Sequence, residues 1–169
     1  MKKVVIFVLI SVLILLTPAL SYAENGPVEK ATGSINIYEP WDGGHREVKF
    51  NTHEAIGDKD AKGKMVDNVY GPDDVLRRVF MYDVKYVRVD GDYAHFGALC
   101  THDSEGVVTG RWLYVKVYDG GTPGTNGDCI GWKWASFNET LVESWVNSGT
   151  TTSWFRMATE GNLVVHTYD

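Results

Sequence analysis

Leu76-Arg-Arg-Val-Phe-Met-Tyr-Asp-Val-Lys-Tyr-Val-Arg-Val-Asp-Gly-Asp-Tyr-Ala-His-Phe-Gly-Ala-Leu-Cys-Thr101 decides the fold of this chain. Two long runs rich in β-branched and aromatic residues flank Asp90-Gly91-Asp92, and Asp-Gly supplies the positive φ of a tight hairpin turn. The spacing therefore predicts strands over Leu76–Val89 and Tyr93–Thr101. The outgoing run carries its apolar phase on Phe80, Val84 and Tyr86 and then on Val87 and Val89, a one-residue shift near Tyr86. Such a shift predicts a β-bulge that bends the strand there. The return run places Ala94, Phe96, Ala98 and Cys100 on one face, with Tyr93, His95 and Leu99 on the other.

The same period-two pattern recurs on both sides of this hairpin, separated by Gly, Asp, Asn and Pro. Further strands are expected at Gly33–Tyr38, Arg46–Ala55, Gly63–Tyr70, Arg111–Tyr118, Ile130–Ala135, Thr151–Ala158 and Leu163–Tyr168, nine in all with the hairpin. A short helix over Glu139–Val146 is the one helical candidate. In Arg111–Tyr118 the residues Leu113, Val115 and Val117 form an aliphatic face, and Trp112, Tyr114, Lys116 and Tyr118 face the other way. An aromatic second face is either covered by another element or amphipathic by design. The expected class is all-β: an antiparallel β-barrel or a two-sheet sandwich of about eight or nine strands.

Residues 1–23 read as a secretory signal peptide: Lys2 and Lys3, an apolar run of 13 from Val4 to Leu16, and Ser21-Tyr22-Ala23 as a small-x-small cleavage site. The run falls short of the roughly 20 residues that a membrane span needs. Residues 24–169 are expected to form one β domain that is secreted, periplasmic or held at the cell surface, and the short lysine-led signal suggests a bacterial source. Without the first 23 residues the chain has 14 basic and 22 acidic groups, a formal charge of −8. That balance argues against nucleic acid and anionic membranes as partners, because both are bound through clustered Lys and Arg. Cys100 and Cys129 in an exported chain predict one disulfide, closing a loop of about 30 residues and adding roughly 3 to 4 kcal/mol.

Several constellations carry chemistry. Of the six tryptophans, Trp132 and Trp134 stand at i and i+2 on one strand; with Trp112 and Tyr114 they form the candidate ligand-binding set. Such rings either stack on sugars and other flat ligands or fill a barrel interior. The Gly-rich segment from Asp119 to Asp128 offers Asp119, Asn126 and Asp128 as oxygen ligands for calcium, although Asp-Gly, Pro-Gly and Asn-Gly are also ordinary turn chemistry. No cofactor other than calcium is suggested. His53, Glu54, His95 and His102 lack the short His pair common in zinc sites. No Gly-x-Ser-x-Gly elbow occurs, so nucleophilic catalysis has no support, and no catalytic residue is assigned.

One family resemblance runs along the chain. Val48-Lys-Phe-Asn51 with Thr-His-Glu, Gly63-Lys-Met, Val87-Arg-Val-Asp-Gly-Asp-Tyr-Ala-His-Phe-Gly97, Val115-Lys-Val-Tyr-Asp119, Pro123-Gly124 with Asp128, and Gly161-Asn-Leu-Val-Val-His166 follow in order. In that order they resemble the β-rich post-choice-of-anchor type of domain found in secreted and surface proteins of bacteria. The resemblance implies a secreted all-β domain without assigned catalytic residues; the cysteine pair and the extra tryptophans depart from its pattern. Three functional readings stand: a non-enzymatic binding or structural module whose aromatic face meets a carbohydrate or protein; a barrel of lipocalin-like or cyclase-like type enclosing a small apolar ligand; and a hydrolase or isomerase using His95, His53 or acidic groups. The first is the one the residues favour.

Overall fold

A computed structural model describes residues 29–55, 60–121, 127–150 and 155–168. The strands β1 (Lys30–Tyr38), β2 (His45–His53), β3 (Lys62–Tyr70), β4 (Leu76–Asp90), β5 (Tyr93–Asp103), β6 (Trp112–Tyr118), β7 (Cys129–Ser136) and β8 (Phe155–His166) pair in chain order. The sheet closes through β8 against β1, every pair antiparallel. The fold is thus a closed eight-stranded barrel. The helix α1 (Glu139–Ser148) lies between β7 and β8.

The hairpin that opened the sequence reading is β4 and β5, turning at Gly91 with φ 60. Its bulge falls between Val84 and Tyr86: Val84 pairs with Ala98 and Tyr86 with Gly97, leaving Lys85 as the extra residue. Phe80, Tyr82 and Val84 point into the barrel before the bulge, and Val87 and Val89 pack on the same core after it. Ala94, Phe96, Ala98 and Cys100 of β5 and Leu113, Val115 and Val117 of β6 fill the interior from the neighbouring wall. Phe50 of β2 and Phe96 of β5 meet with ring centroids 5.4 Å apart. Two strands, β3 and β4, stand between these two along the wall, so their contact crosses the lumen. Eight strands leave an interior just wide enough for side chains to fill.

The ninth expected strand does not exist as such. Glu160-Gly161-Asn162 continues β8, where the sequence suggests a turn between Thr151–Ala158 and Leu163–Tyr168. Gly161, at φ 98, pairs with Ile35, and a Cβ there would lie 2.0 Å from the Ser34 carbonyl oxygen. The glycine marks a close backbone approach beside a register shift, which a turn signal does not distinguish from a loop. Residues 151–154 of that expected strand, like the signal segment, lie outside the described residues.

The cysteine expectation is corrected. Cys100 and Cys129 are both free: the Cys100 thiol donates to the His102 carbonyl at 3.3 Å and the Cys129 thiol to that of Gly127 at 3.2 Å. Cys129 is level with Tyr118 and, through it, with Tyr93 at the start of β5, whereas Cys100 lies near the far end of that strand. Seven residues of strand span roughly 23 Å, and a disulfide needs Cα atoms within about 7 Å.

The outward face of β6 is covered. Val142 and Val146 of α1 bury against Trp112, Tyr114 and Ala135. The helix is built locally: Asn138 Oδ1 accepts the Leu141 N–H at 2.9 Å as an N-cap, and Gly149 closes the other end in the left-handed conformation. Among the described residues no helix is long and apolar enough to cross a membrane.

Candidate functional site

The four candidate ligand-binding rings do not form one face. Trp112 and Tyr114 lie on the outer wall, 6% and 0% exposed, beneath α1. Trp132 packs on the barrel core, and Trp134, 39% exposed, stands 6.4 Å from the ring of Tyr82, itself an inward residue. Strand alternation sends β7 Trp132 and Trp134 inward while their β6 neighbours Trp112 and Tyr114 point outward. Sequence spacing alone could not show that two tryptophan-bearing strands present opposite faces.

Inside the barrel, Trp132 belongs to a buried ionic cluster. Arg46 pairs with Glu39 and Asp67, each at 2.6 Å, and its guanidinium sits 5.1 Å from the Trp132 ring centroid. Burial raises the Asp67 carboxyl above the usual carboxylate range. Glu39 is also buried, so the cluster is a set of linked charges packed into the lumen. The signal for it was present, since Arg46 shares inward parity with Val48 and Phe50, and Asp67 with Met65.

The calcium candidates are committed to backbone. Asp128 is fully buried; its two oxygens accept the N–H groups of Gly120 and Leu163, each at 2.9 Å. Asp119 accepts those of Gly121 and Val165, also at 2.9 Å. Both carboxylates therefore staple the loop after β6, Asp128 and Asp119 each reaching β8. Asn126 lies outside the described residues. Among the described residues no group of three or more His, Cys, Asp or Glu is placed to hold a metal ion.

The histidines are dispersed as well. His53 Nδ1 is 3.0 Å from the Glu54 carbonyl, Glu54 accepts the Val89 N–H, and His102 is exposed on the barrel wall. His95 is buried beneath the C-terminal end of α1 with Nδ1 2.7 Å from the Tyr114 hydroxyl. Burial, with Lys116 and Arg88 nearby, lowers its pKa to about 4.

A cavity opens on the outer wall. A groove of about 770 Å³ is lined by Asp60, Lys62, Lys85, Tyr86, Trp112 and Glu139, with Ala61 and Leu99 as apolar patches. The β4 bulge builds it. The extra residue turns Lys85 and Tyr86, neighbours in sequence, toward the same outer side, where a regular strand would send one of them into the barrel. The Tyr86 ring leans on Trp112 at 5.9 Å, giving the groove an aromatic floor. Its hydroxyl donates to Glu139 Oε1 at 3.0 Å, joining the floor to the first turn of α1. Burial first, and then Glu139, Glu143 and Asp60, raise the Tyr86 pKa to about 12, so the phenol keeps its proton and its donor role. Of the sequence candidates only Trp112 lines this groove. Lys62, Lys85, Tyr86 and Glu139 were missed, although the phase break at Tyr86 was the signal that could have found two of them.

No family model matches this chain, and neither a curated protein nor a solved structure does.

Proposed function

We propose that this chain is an exported, non-enzymatic binding module in which the barrel serves as scaffold and the groove over Tyr86 and Trp112 receives a small ligand with a flat face. The observation that carries this reading is the bulge-built pairing of Lys85 and Tyr86 on one side of a 770 Å³ groove with an aromatic floor. That volume falls in the range of small-molecule sites, which combine apolar walls with a few placed polar groups. The signal-like first 23 residues and the resemblance to post-choice-of-anchor domains support export. An apolar ligand enclosed in the barrel has less support, because Phe50 and Phe96 meet across the lumen.

The test is nuclear magnetic resonance of the Trp112 indole N–H, assigned with Trp112→Phe, during titration with indole, tryptophan and methyl glucoside. Saturable shifts at Trp112, weakened at least about tenfold by Tyr86→Ala, are expected. Shifts confined to Trp132 and Trp134, or none with any probe, would move the site away from this groove. Export is read separately, from the mass of the protein recovered from its own host: retention of residues 1–23 would overturn it.

A further inference from the structure

We infer that the ligand of this groove is a small zwitterion with a flat apolar body, its anionic group set against Lys62 and Lys85 and its cationic group against Glu139. The inference rests on the groove being the binding site and adds the chemical class of what it takes.

The basic side of the groove is under-compensated. Gly63 pairs with Val84, so Lys62 and Lys85 flank the same step of the β3–β4 ladder. Like charges facing each other across strands destabilise a sheet. The carboxylate recorded nearest to Lys85 is Asp83, at 4.0 Å, and Asp83 is already held by Lys64 at 2.5 Å. Lys62 has no ion-pair partner among the described residues. Elsewhere on the wall Lys49 meets Glu47 at 2.5 Å, and Lys133 lies 3.9 Å from the Trp145 ring centroid. Neither ammonium group lies within ion-pair distance of Asp60 or Glu139, the carboxylates that line the same groove, so an anion brought by a ligand would complete their pairing.

The acidic side is under-compensated in the opposite sense. Glu139 accepts a hydrogen bond from the neutral Tyr86 hydroxyl, and the charges of Glu143 and Asp60 act on the same hydroxyl. The helix Glu139–Ser148 contains no Lys or Arg, and Glu139 makes no salt bridge among the described residues. The Tyr86 phenol reaches from the lysine-bearing strand to this carboxylate, with Trp112 beside it. A ligand that complements both ends therefore carries its opposite charges at the two ends of a flat ring.

The experiment compares 4-(aminomethyl)benzoate, which carries both charges, with benzoate, benzylamine and benzyl alcohol. Each is titrated into the full chain by calorimetry with the Trp112 resonance as site marker. The zwitterion is expected to bind up to about fivefold tighter than either singly charged compound, the most that one exposed ion pair ordinarily gives. Lys85→Gln should move its affinity toward that of benzylamine, with the double variant Lys62→Gln/Lys85→Gln reaching it, and Glu139→Gln, which keeps an acceptor for Tyr86, should reduce it to that of benzoate. Benzoate or benzylamine binding as tightly as the zwitterion would overturn the inference, as would unchanged affinity in both variants. Binding of benzyl alcohol at Trp112 without any gain from charge would leave the groove standing and remove the zwitterion; absence of binding by all four would remove both.

Discussion

His95 Nδ1 lies 2.7 Å from the Tyr114 hydroxyl, which donates its proton to the Thr150 carbonyl at 2.6 Å. Because the single phenolic proton is used on Thr150, the Tyr114 oxygen accepts, and His95 Nδ1 carries the hydrogen. The chain His95–Tyr114–Thr150 ties the segment after α1 to the barrel wall. Arg88 adds a second tie, donating to the Asn147 carbonyl at 2.6 Å. Arg88 and Lys116 make the surroundings of the imidazole cationic, and Asp90 offsets them only in part.

The buried His95 sets a pH window. Its folded pKa of about 4 lies below the ordinary 6.5, so the fold holds it neutral while the unfolded chain takes up a proton. Its contribution is complete above about pH 6.5 and is lost as pH falls toward 4, at up to about 1.4 kcal/mol per pH unit. Urea denaturation at pH 7 and at pH 4.5 is expected to show this loss, with a smaller difference between the two in His95→Gln. An identical pH dependence in the variant would show that the imidazole stays uncharged on unfolding or is charged in the fold.

Arg78 and Asp103 form the best-aligned ion pair of the barrel wall. Nε donates to Oδ1 at 2.8 Å and a terminal nitrogen to Oδ2 at 2.7 Å, while the Glu105 and Val108 N–H groups hold the same carboxylate. These bonds keep the Asp103 carboxyl well below the usual carboxylate range, and its side chain is fully buried. Arg78→Ala would strand that buried charge and is expected to cost about 3 to 5 kcal/mol in urea unfolding. Asp103→Asn, which retains an acceptor and removes the charge, is expected to cost less. The reverse order of the two would show that the loop from Ser104 to Arg111, not the ion pair, governs this region.

Gly97 decides whether α1 can lie on the wall. A Cβ at this position would stand 2.6 Å from Val142 Cγ1, and Val142 is fully buried. Gly97→Leu is expected to lift the helix, raising proteolytic cleavage between Glu139 and Ser148 while the strand signal in circular dichroism persists. The same variant should lose the Trp112 response to any groove ligand, since Glu139 leaves with the helix. Unchanged protease resistance would mean that the wall can yield and keep the helix seated.

The two cysteines give a direct chemical check of the topology. Cys100 is buried inside the barrel and Cys129 half-buried at the start of β7. A thiol reagent is expected to titrate two thiols per chain in denaturant without prior reduction, and reduction should leave the melting temperature unchanged. A bridge that must be reduced before the thiols react would contradict the strand order, because register places the two residues at opposite ends of the wall.

Much of this molecule was legible in order along the chain. The β4–β5 hairpin, the bulge at Tyr86 and the inward set Ala94, Phe96, Ala98 and Cys100 follow from turn residues and period-two alternation, and the helix expected over Glu139–Val146 is present as Glu139–Ser148. Alternation also showed that the Trp112 face is either covered by another element or amphipathic by design, and α1 is the cover.

What remained depended on distances between residues far apart in sequence. Alternation states which residues share a face within one strand, but not which face of the next strand is turned inward, so Trp112 and Trp132 looked alike and lie on opposite sides of the wall. Spacing gives the length of the loop between Cys100 and Cys129, but register decides that they sit at opposite ends. The groove is assembled from β3, the β4 bulge, β6 and the first turn of α1. Local pattern specified most of the strands, the β4–β5 turn and an aromatic surplus on the outer face, but not the continuity of β8 through Gly161. The tertiary structure alone decided which lysines and carboxylates meet around that surplus, because a closed barrel fixes contacts by register and curvature, quantities that no local pattern encodes.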